Sequence, residues 1–427
     1  MLEALFDYIE ASPSPYHAAA VAAERLRTAG LAEARRSDDW GELDLTAGFA
    51  VRDGGTVVAA RAGARVDPDR LRFIVIGAHT DSPNLRLRPV PDADALGYQQ
   101  LGVEIYGGVL LNSWLDRDLG LSGRIVVRDG TGDSPATVLW RCDRALMRVP
   151  QLAIHLDRDV NDGLKLDRQQ HMTPVWGLGE PSADGFREFL AADLDVEPDA
   201  VLAWDVMAHD LTPPARLGRH GEMYAAARID NLASCHAAIE ALAGLEAVPA
   251  NTAAVVVLFD HEEIGSDSAT GAGSPILADA LERIAHSLGG DREQYLRAVA
   301  RSLCVSADGA HAVHPNYPER HEPAHVPVLN GGPVIKTNAN VRYATDARTH
   351  ARFAVACDAA GVPHQVYSHR GNLPCGSTIG PITASRLGMS VVDVGSPQLS
   401  MHSARELGGS DDPAMLTAAL GVFLANG

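Results

Sequence analysis

The chain is poor in cysteine, in basic charge and in long apolar runs, and each shortage removes a class of protein. Its five cysteines, Cys142, Cys235, Cys304, Cys357 and Cys375, are scattered and odd in number. No Cys-x-x-Cys pair occurs, which argues against a disulfide scaffold or a thiolate zinc site. Lysine and arginine total 36 against 55 acidic residues, a formal net charge of -19. Non-specific binding to nucleic acid or to anionic membranes needs the opposite sign. No apolar run approaches the roughly 18 residues of a membrane-spanning helix. The first residues, Met1-Leu2-Glu3 through Asp7 and Glu10, lack the basic and apolar regions of a signal peptide. No P-loop occurs, and no Gly-x-Gly-x-x-Gly follows a strand, which disfavours nucleotide binding. Internal repeats and low-complexity tracts are absent too. These shortages lead us to expect a cytoplasmic protein.

What is present is material for a large core and more than one domain: 46% of the 427 residues are hydrophobic. Ser14-Pro15 opens a helix with a capping serine and a first-turn proline, and Gly30 closes it. Ala18, Ala22 and Leu26 recur within it at helical spacing. Strands are expected near Val57–Ala60 and at Leu71–Ile76. From about residue 85 to 217 the character changes to short β-like runs, such as Arg124–Val127 and Thr137–Trp140. Turn formers separate them, including Asp129-Gly130 and Gly132-Asp133. Helical periodicity returns at Asn231–Leu245, and strands and helices then alternate to the end. The expected fold is an α/β domain on a mostly parallel sheet with helices on both faces. A β-rich insertion interrupts it, giving boundaries of 1–84, 85–217 and 218–427.

Residues of metal-ligand type stand just past the apolar runs. His79 follows Phe73–Ile76, Glu262 and Glu263 follow Ala253–Phe259, Asp308 follows Leu303–Ala307, and His402 follows Val391–Val394. Open α/β sheets bind ligands at the carboxyl ends of their strands. Asp81, two residues past His79, can accept the ring N–H of that histidine and fix its tautomer. Asp230, just before a helical pattern, reads alone as a helix cap, a role compatible with offering an oxygen to a metal. Glu262-Glu263 offers an anionic ligand beside a separate general base, provided the neighbours point apart on an extended chain. Taken singly, each residue also fits a duller role as a loop histidine, turn aspartate or solvated acid. Their recurrence at one topological position suits a two-metal hydrolase site. Lys336, after Pro333-Val334-Ile335, reads alone as a solvated strand-end lysine, and His155 as a strand histidine. Cys375 reads as a small buried hydrophobe.

The combined segments resemble the aspartyl aminopeptidase family. The likeness runs from Ser12-Pro13-Ser14-Pro15-Tyr16-His17-Ala18 and Ala78-His79-Thr80-Asp81-Ser82-Pro83 through Arg228-Ile229-Asp230-Asn231 and Asp260-His261-Glu262-Glu263-Ile264-Gly265. It continues in Ala310-His311-Ala312-Val313-His314-Pro315-Asn316-Tyr317 and Pro374-Cys375-Gly376-Ser377-Thr378-Ile379-Gly380-Pro381, and ends in Met401-His402-Ser403-Ala404-Arg405-Glu406.

The resemblance implies a metallo-aminopeptidase preferring N-terminal Asp or Glu. It implies a pair of divalent ions per chain, zinc first, with manganese or cobalt as alternatives. His79, Asp230, Glu263, Asp308 and His402 would be the ligands, with Asp230 bridging. Glu262 would be the general base and Asp81 its supporting acid. His155 would reach a neighbouring subunit's site, and Lys336 would lie near the substrate's acidic side chain. The β-rich insertion would serve dimerisation or as a lid, in a tetrahedral dodecamer. Two departures are Val341, where glutamine is expected, and Gly309, where the family often has a bulkier residue. The rival readings are a di-metal peptidase or deacylase for neutral substrates, and a catalytically silent assembly protein.

Overall fold

A computed structural model describes residues 1–128, 135–180, 182 and 184–426. The expected turns at Asp129-Gly130 and Gly132-Asp133 lie outside the described residues. The chain falls into two compact units. The first is Met1–Asp81, Pro214–Met401 and Glu406–Gly427, and the second is Ser82–Pro213 with His402–Arg405. The sequence reading placed the boundaries at 84/85 and 217/218 and gave no separate place to His402–Arg405.

A nine-stranded sheet organises the first unit. Its middle is Thr252–Phe259, Arg72–His79, Leu303–Ala307 and Ser390–Gly395, side by side and all parallel. Every residue of Thr252–Phe259 is buried, as a strand covered on both faces requires. Successive side chains go to opposite faces. Ile74, Ile76, Ala254, Val256 and Leu258 therefore join one core cluster, and Phe73, Val75, Ala253, Val255 and Val257 another. Helices Leu2–Ala11, Pro15–Thr28, Ile229–Ala243, Ala347–Ala360 and Asp412–Asn426 cover the first face. Ile276–Ser287, Arg292–Ala300 and Ile379–Leu387 cover the second. Helix Pro15–Thr28 starts on the Ser14 hydroxyl, which accepts the His17 N–H, and Gly30 follows its end at φ +97°. The sheet is mixed at both flanks: Thr56–Ala62 runs antiparallel to Thr252–Phe259, and Val334–Thr337 antiparallel to Ser390–Gly395.

A small five-stranded sheet, unforeseen from the sequence, also belongs to this unit. Its strands are Ala215–Leu217, Met223–Ala226, Glu406–Gly409, Pro397–Leu399 and Ala310–His311. Strands of two to four residues are too short to display an alternating pattern. The sheet leads Met223–Ala226 toward Asp230 and begins again directly after Asp308-Gly309.

The second unit is a six-stranded sheet whose paired strands are all antiparallel, with helix Gly185–Leu194 packed on it. Strand Pro135–Met147 alternates between exposed and more buried positions through Arg141, the mark of a sheet with one wet face. Between Pro150 and Pro174 the chain forms turns without a strand. His155 lies there, exposed, in a turn rather than in the strand its apolar neighbours suggested. Leu152, Ile154 and Leu156 beside it are exposed as well.

Candidate metal centre

Sheet register gathers the site. Phe259 pairs with His79, and Ser306 with Gly77. The ends of three neighbouring strands therefore stand level, about 4.8 Å apart from one to the next. His79 is the last residue of its strand, Asp308 directly follows Leu303–Ala307, and Glu262 comes three residues after Phe259.

His79 sits at the centre, only 1% exposed. Its Nδ1 is 3.0 Å from the backbone carbonyl oxygen of Asp81 and 3.5 Å from that residue's Oδ1. An N–H at Nδ1 donates to that carbonyl, which leaves the Nε2 lone pair facing the other acids. Nε2 lies 3.4 Å from Asp230, 3.5 Å from Asp308 and 3.9 Å from Glu262. The Asp81 carboxylate has a second task. It accepts the backbone N–H groups of Glu262 and Glu263, each at 3.1 Å. One buried carboxylate thus steadies both the imidazole and the paired glutamates.

The glutamates do not separate by extended-chain alternation, as the sequence reading supposed. Glu262–Ile264 is a single 3-10 turn, entered through His261 at φ 63° and left through Gly265 at φ 98°. Behind it the His261 ring meets the Ser268 hydroxyl at 2.8 Å. A Cβ on Gly271 would stand 2.2 Å from the Ser266 carbonyl oxygen, so a side chain there would collide with the backbone that supports the turn.

Asp230 has non-helical backbone angles at the head of Ile229–Ala243, so it does not cap that helix in the ordinary way. Its N–H donates to Glu406 at 3.0 Å, and the Asn231 side-chain amide donates to the Ala307 carbonyl at 2.8 Å. Glu406 is 2% exposed, and sequence reasoning gave it no role. The available signal was a lone acid opening the apolar Leu407-Gly408-Gly409.

Lys336 is also not the solvated lysine its sequence context suggested. It is 2% exposed, and its Nζ donates to the carbonyls of Asp308 and Gly309, both at 3.1 Å. The structure thus brings together His79, Asp81, Asp230, Glu262, Glu263, Asp308 and Lys336. His155 and His402 belong to the second unit. There the His402 ring Nδ1 is 3.0 Å from the Gly108 carbonyl oxygen.

Electrostatics shows what the cluster lacks. Burial would depress the His79 pKa, but Glu262, then Asp230, Asp308 and Asp81, outweigh it and raise the imidazole well above its ordinary value. Burial raises the Glu262 carboxyl most; His79 opposes this, and Asp308, Asp81 and Asp230 add to it, leaving it well above the usual carboxylate range. Both shifts report a shortage of positive charge among buried acids. A divalent cation supplies that charge, and the donor set fits one. His79, Glu262 and Glu263 have ligand atoms within 4.8 Å of one another, as do His79, Asp230 and Asp308. Imidazole nitrogen and carboxylate oxygen suit zinc, manganese or cobalt.

Comparison with known proteins agrees with this geometry. The family model described as "Aminopeptidase I zinc metalloprotease (M18)" matches residues 8–424. A "Probable M18 family aminopeptidase 2" of Streptomyces avermitilis is 51% identical over 98% of this chain and 96% of its own length. The protein of that name from Mycobacterium tuberculosis strain H37Rv is 50% identical over 99% and 97%. Among solved structures, Ape4 in its complex with Nbr1 has TM-score 0.95 at 35% identity, covering 100% of this chain and 85% of that one. The S. cerevisiae mApe1 dodecamer has TM-score 0.87 at 26% identity, covering 100% and 96%.

Proposed function

Given that the chain belongs to the M18 family of metallo-aminopeptidases, we propose that it removes N-terminal Asp or Glu from peptides with a pair of divalent ions, zinc first. The observation that carries this reading is the meeting of buried His79, Asp230 and Asp308 with half-buried Glu262 and Glu263 at level strand ends. In this reading Asp230 would be shared by the two ions, His79, Asp308, Glu263 and His402 would supply the remaining protein ligands, and the substrate's free α-amine would be held at the same centre.

When bound, the ions polarise the scissile carbonyl and make water a stronger acid. The chain's own residues do the rest. Glu262 takes the proton from the attacking water and later gives it to the leaving amine. A carboxylate positioned beside the water can serve both steps. Asp81 holds the backbone of Glu262 and Glu263 and the ring of His79 in place for the transfer.

The dodecameric state of the mApe1 structure supports a homo-oligomer here, proposed as a tetrahedral dodecamer. In it His155, exposed in its turn, would reach a neighbouring site, and the antiparallel second unit would serve dimerisation or as a lid. Among the described residues no helix is long and apolar enough to cross a membrane, and we place the protein in the cytoplasm. The test is hydrolysis of Asp-, Glu-, Leu- and Lys-headed peptides. The Asp- and Glu-headed peptides are expected to be cleaved fastest. Equal rates across the four would remove the acidic preference, and no cleavage of any would remove the activity.

A further inference from the structure

The turn that carries the paired glutamates is held from behind by a polar network that the reaction does not use. The residue that leads into it, His261, has a left-handed backbone at φ 63°. Residues other than glycine adopt that conformation uncommonly, and it persists where surrounding contacts enforce it. Here the contacts are explicit. The His261 N–H donates to the Asp260 carboxylate at 2.9 Å, and the His261 carbonyl accepts the Ser266 N–H at 2.8 Å. Asp260 is 1% exposed, and its own N–H donates to the Thr56 hydroxyl at 2.9 Å. That hydroxyl donates in turn to the Thr270 carbonyl at 2.7 Å. A Cβ on Gly55 would stand 2.4 Å from the Asp260 Oδ2, so this glycine makes room for the carboxylate.

The ring completes the network. The His261 Nδ1 is 2.8 Å from the Ser268 hydroxyl oxygen, and Nε2 is 3.7 Å from the Asp260 Oδ2. Aspartate, histidine and serine in contact suggest a nucleophilic triad, but the hydrogen bonds decide against one. The Ser268 oxygen already accepts the N–H groups of Gly271 at 3.0 Å and Thr270 at 3.4 Å. Both of its lone pairs are engaged, so its proton points at Nδ1. The ring then accepts at Nδ1 and carries its hydrogen on Nε2, toward Asp260. Ser268 is a tie rather than a nucleophile. It joins the histidine to the segment 268–271 and closes the backbone behind Glu262–Ile264.

From this turn the Glu262 carboxylate stands 3.9 Å from the His79 Nε2. Asp81 holds the N–H groups of Glu262 and Glu263 from the side of the acidic centre, and the network holds the preceding residue from the back. Rotation about the His261 backbone would swing Glu262 as a whole. We infer that His261 is a positioning residue for Glu262, locking through Nδ1 the left-handed entry that aims the proton carrier at the centre. This rests on the reading of Glu262 as general base. Misplacing a reacting group by about 1 Å costs on the order of 100-fold in rate.

The experiment compares His261→Gly with His261→Asn in the full-length protein at saturating zinc. It reads kcat and KM on the fastest-cleaved of the four peptides, and bound zinc by elemental analysis. Glycine takes the left-handed backbone freely but has no ring to tie. Asparagine tolerates that backbone too and offers an amide oxygen to the Ser268 hydroxyl. His261→Gly is expected to lose about 100-fold in kcat with KM and bound zinc unchanged, and His261→Asn to recover most of that loss. A Gly variant as fast as the unaltered protein, or an Asn variant no faster than the Gly one, would overturn the inference. Ser268→Ala removes the other end of the tie and carries the test if the Gly variant does not fold. The same fall in kcat is expected there, and an unchanged kcat would overturn the inference as well. Full activity in Glu262→Gln would instead sink the general-base reading on which it rests.

Discussion

The two units use β-structure in opposite ways. The central strands of the first unit are buried on both faces, and their level ends carry the ionisable residues. In the second, strands such as Pro135–Met147 are wet on one side, and the ion pairs there, such as Arg124–Asp205 and Arg148–Asp118, are surface pairs. Buried parallel strands create a place where water is scarce, so charges at their ends interact strongly. Exposed pairs are screened and contribute little. The same residue types are therefore strongly coupled in one unit and weakly coupled in the other.

Replacing the proposed proton carrier sharpens this contrast most. Glu262→Gln keeps the shape of the side chain and removes its basicity. We expect kcat to fall by about 10²–10⁴-fold with bound metal retained, read by steady-state kinetics beside elemental analysis. Activity near that of the unaltered protein would take Glu262 out of the reaction.

Truncation compares the two sheets directly. Ile76 is wholly buried in the first and Leu139 is 36% exposed in the second. Ile76→Ala is expected to cost about 2–5 kcal/mol, and Leu139→Ala about 0.5 kcal/mol or less, by urea unfolding. Similar losses would contradict the difference in burial.

A smaller effect concerns acid sensitivity in the first unit. His236, 1% exposed on helix Ile229–Ala243, is held by burial at a pKa of about 3, below the 6.5 of an ordinary imidazole. The unfolded chain takes up a proton as pH falls below 6.5 while the folded one does not. The protein therefore loses stability between pH 6.5 and 3. His236→Gln is expected to flatten the fall of Tm across that window, and an unchanged slope would assign the sensitivity to other groups.

Much of this was legible in the sequence because buried parallel strands read as unbroken apolar runs. Thr252–Phe259 and Arg72–His79 declared themselves, and the polar residues beyond them marked the strand ends. The family resemblance added roles that spacing alone left open, such as bridging by Asp230. The five-stranded sheet stayed hidden because its strands are too brief for a period. Lys336 was misjudged as solvated because a strand-end lysine is usually exposed; its burial depends on Asp308 and Asp393, which lie far off in the chain. The sequence pattern suggests an extended chain at Glu262 and Glu263, whereas a left-handed His261 leads the chain into a 3-10 turn.

The central claim is that the acids around His79 exist to hold cations. Equilibrium dialysis of the chelator-stripped full-length protein against zinc, with elemental analysis of the bound metal, tests it most directly. The account predicts two ions per chain and recovery of peptide hydrolysis as they bind. Fewer than two tightly held ions at full activity would contradict it.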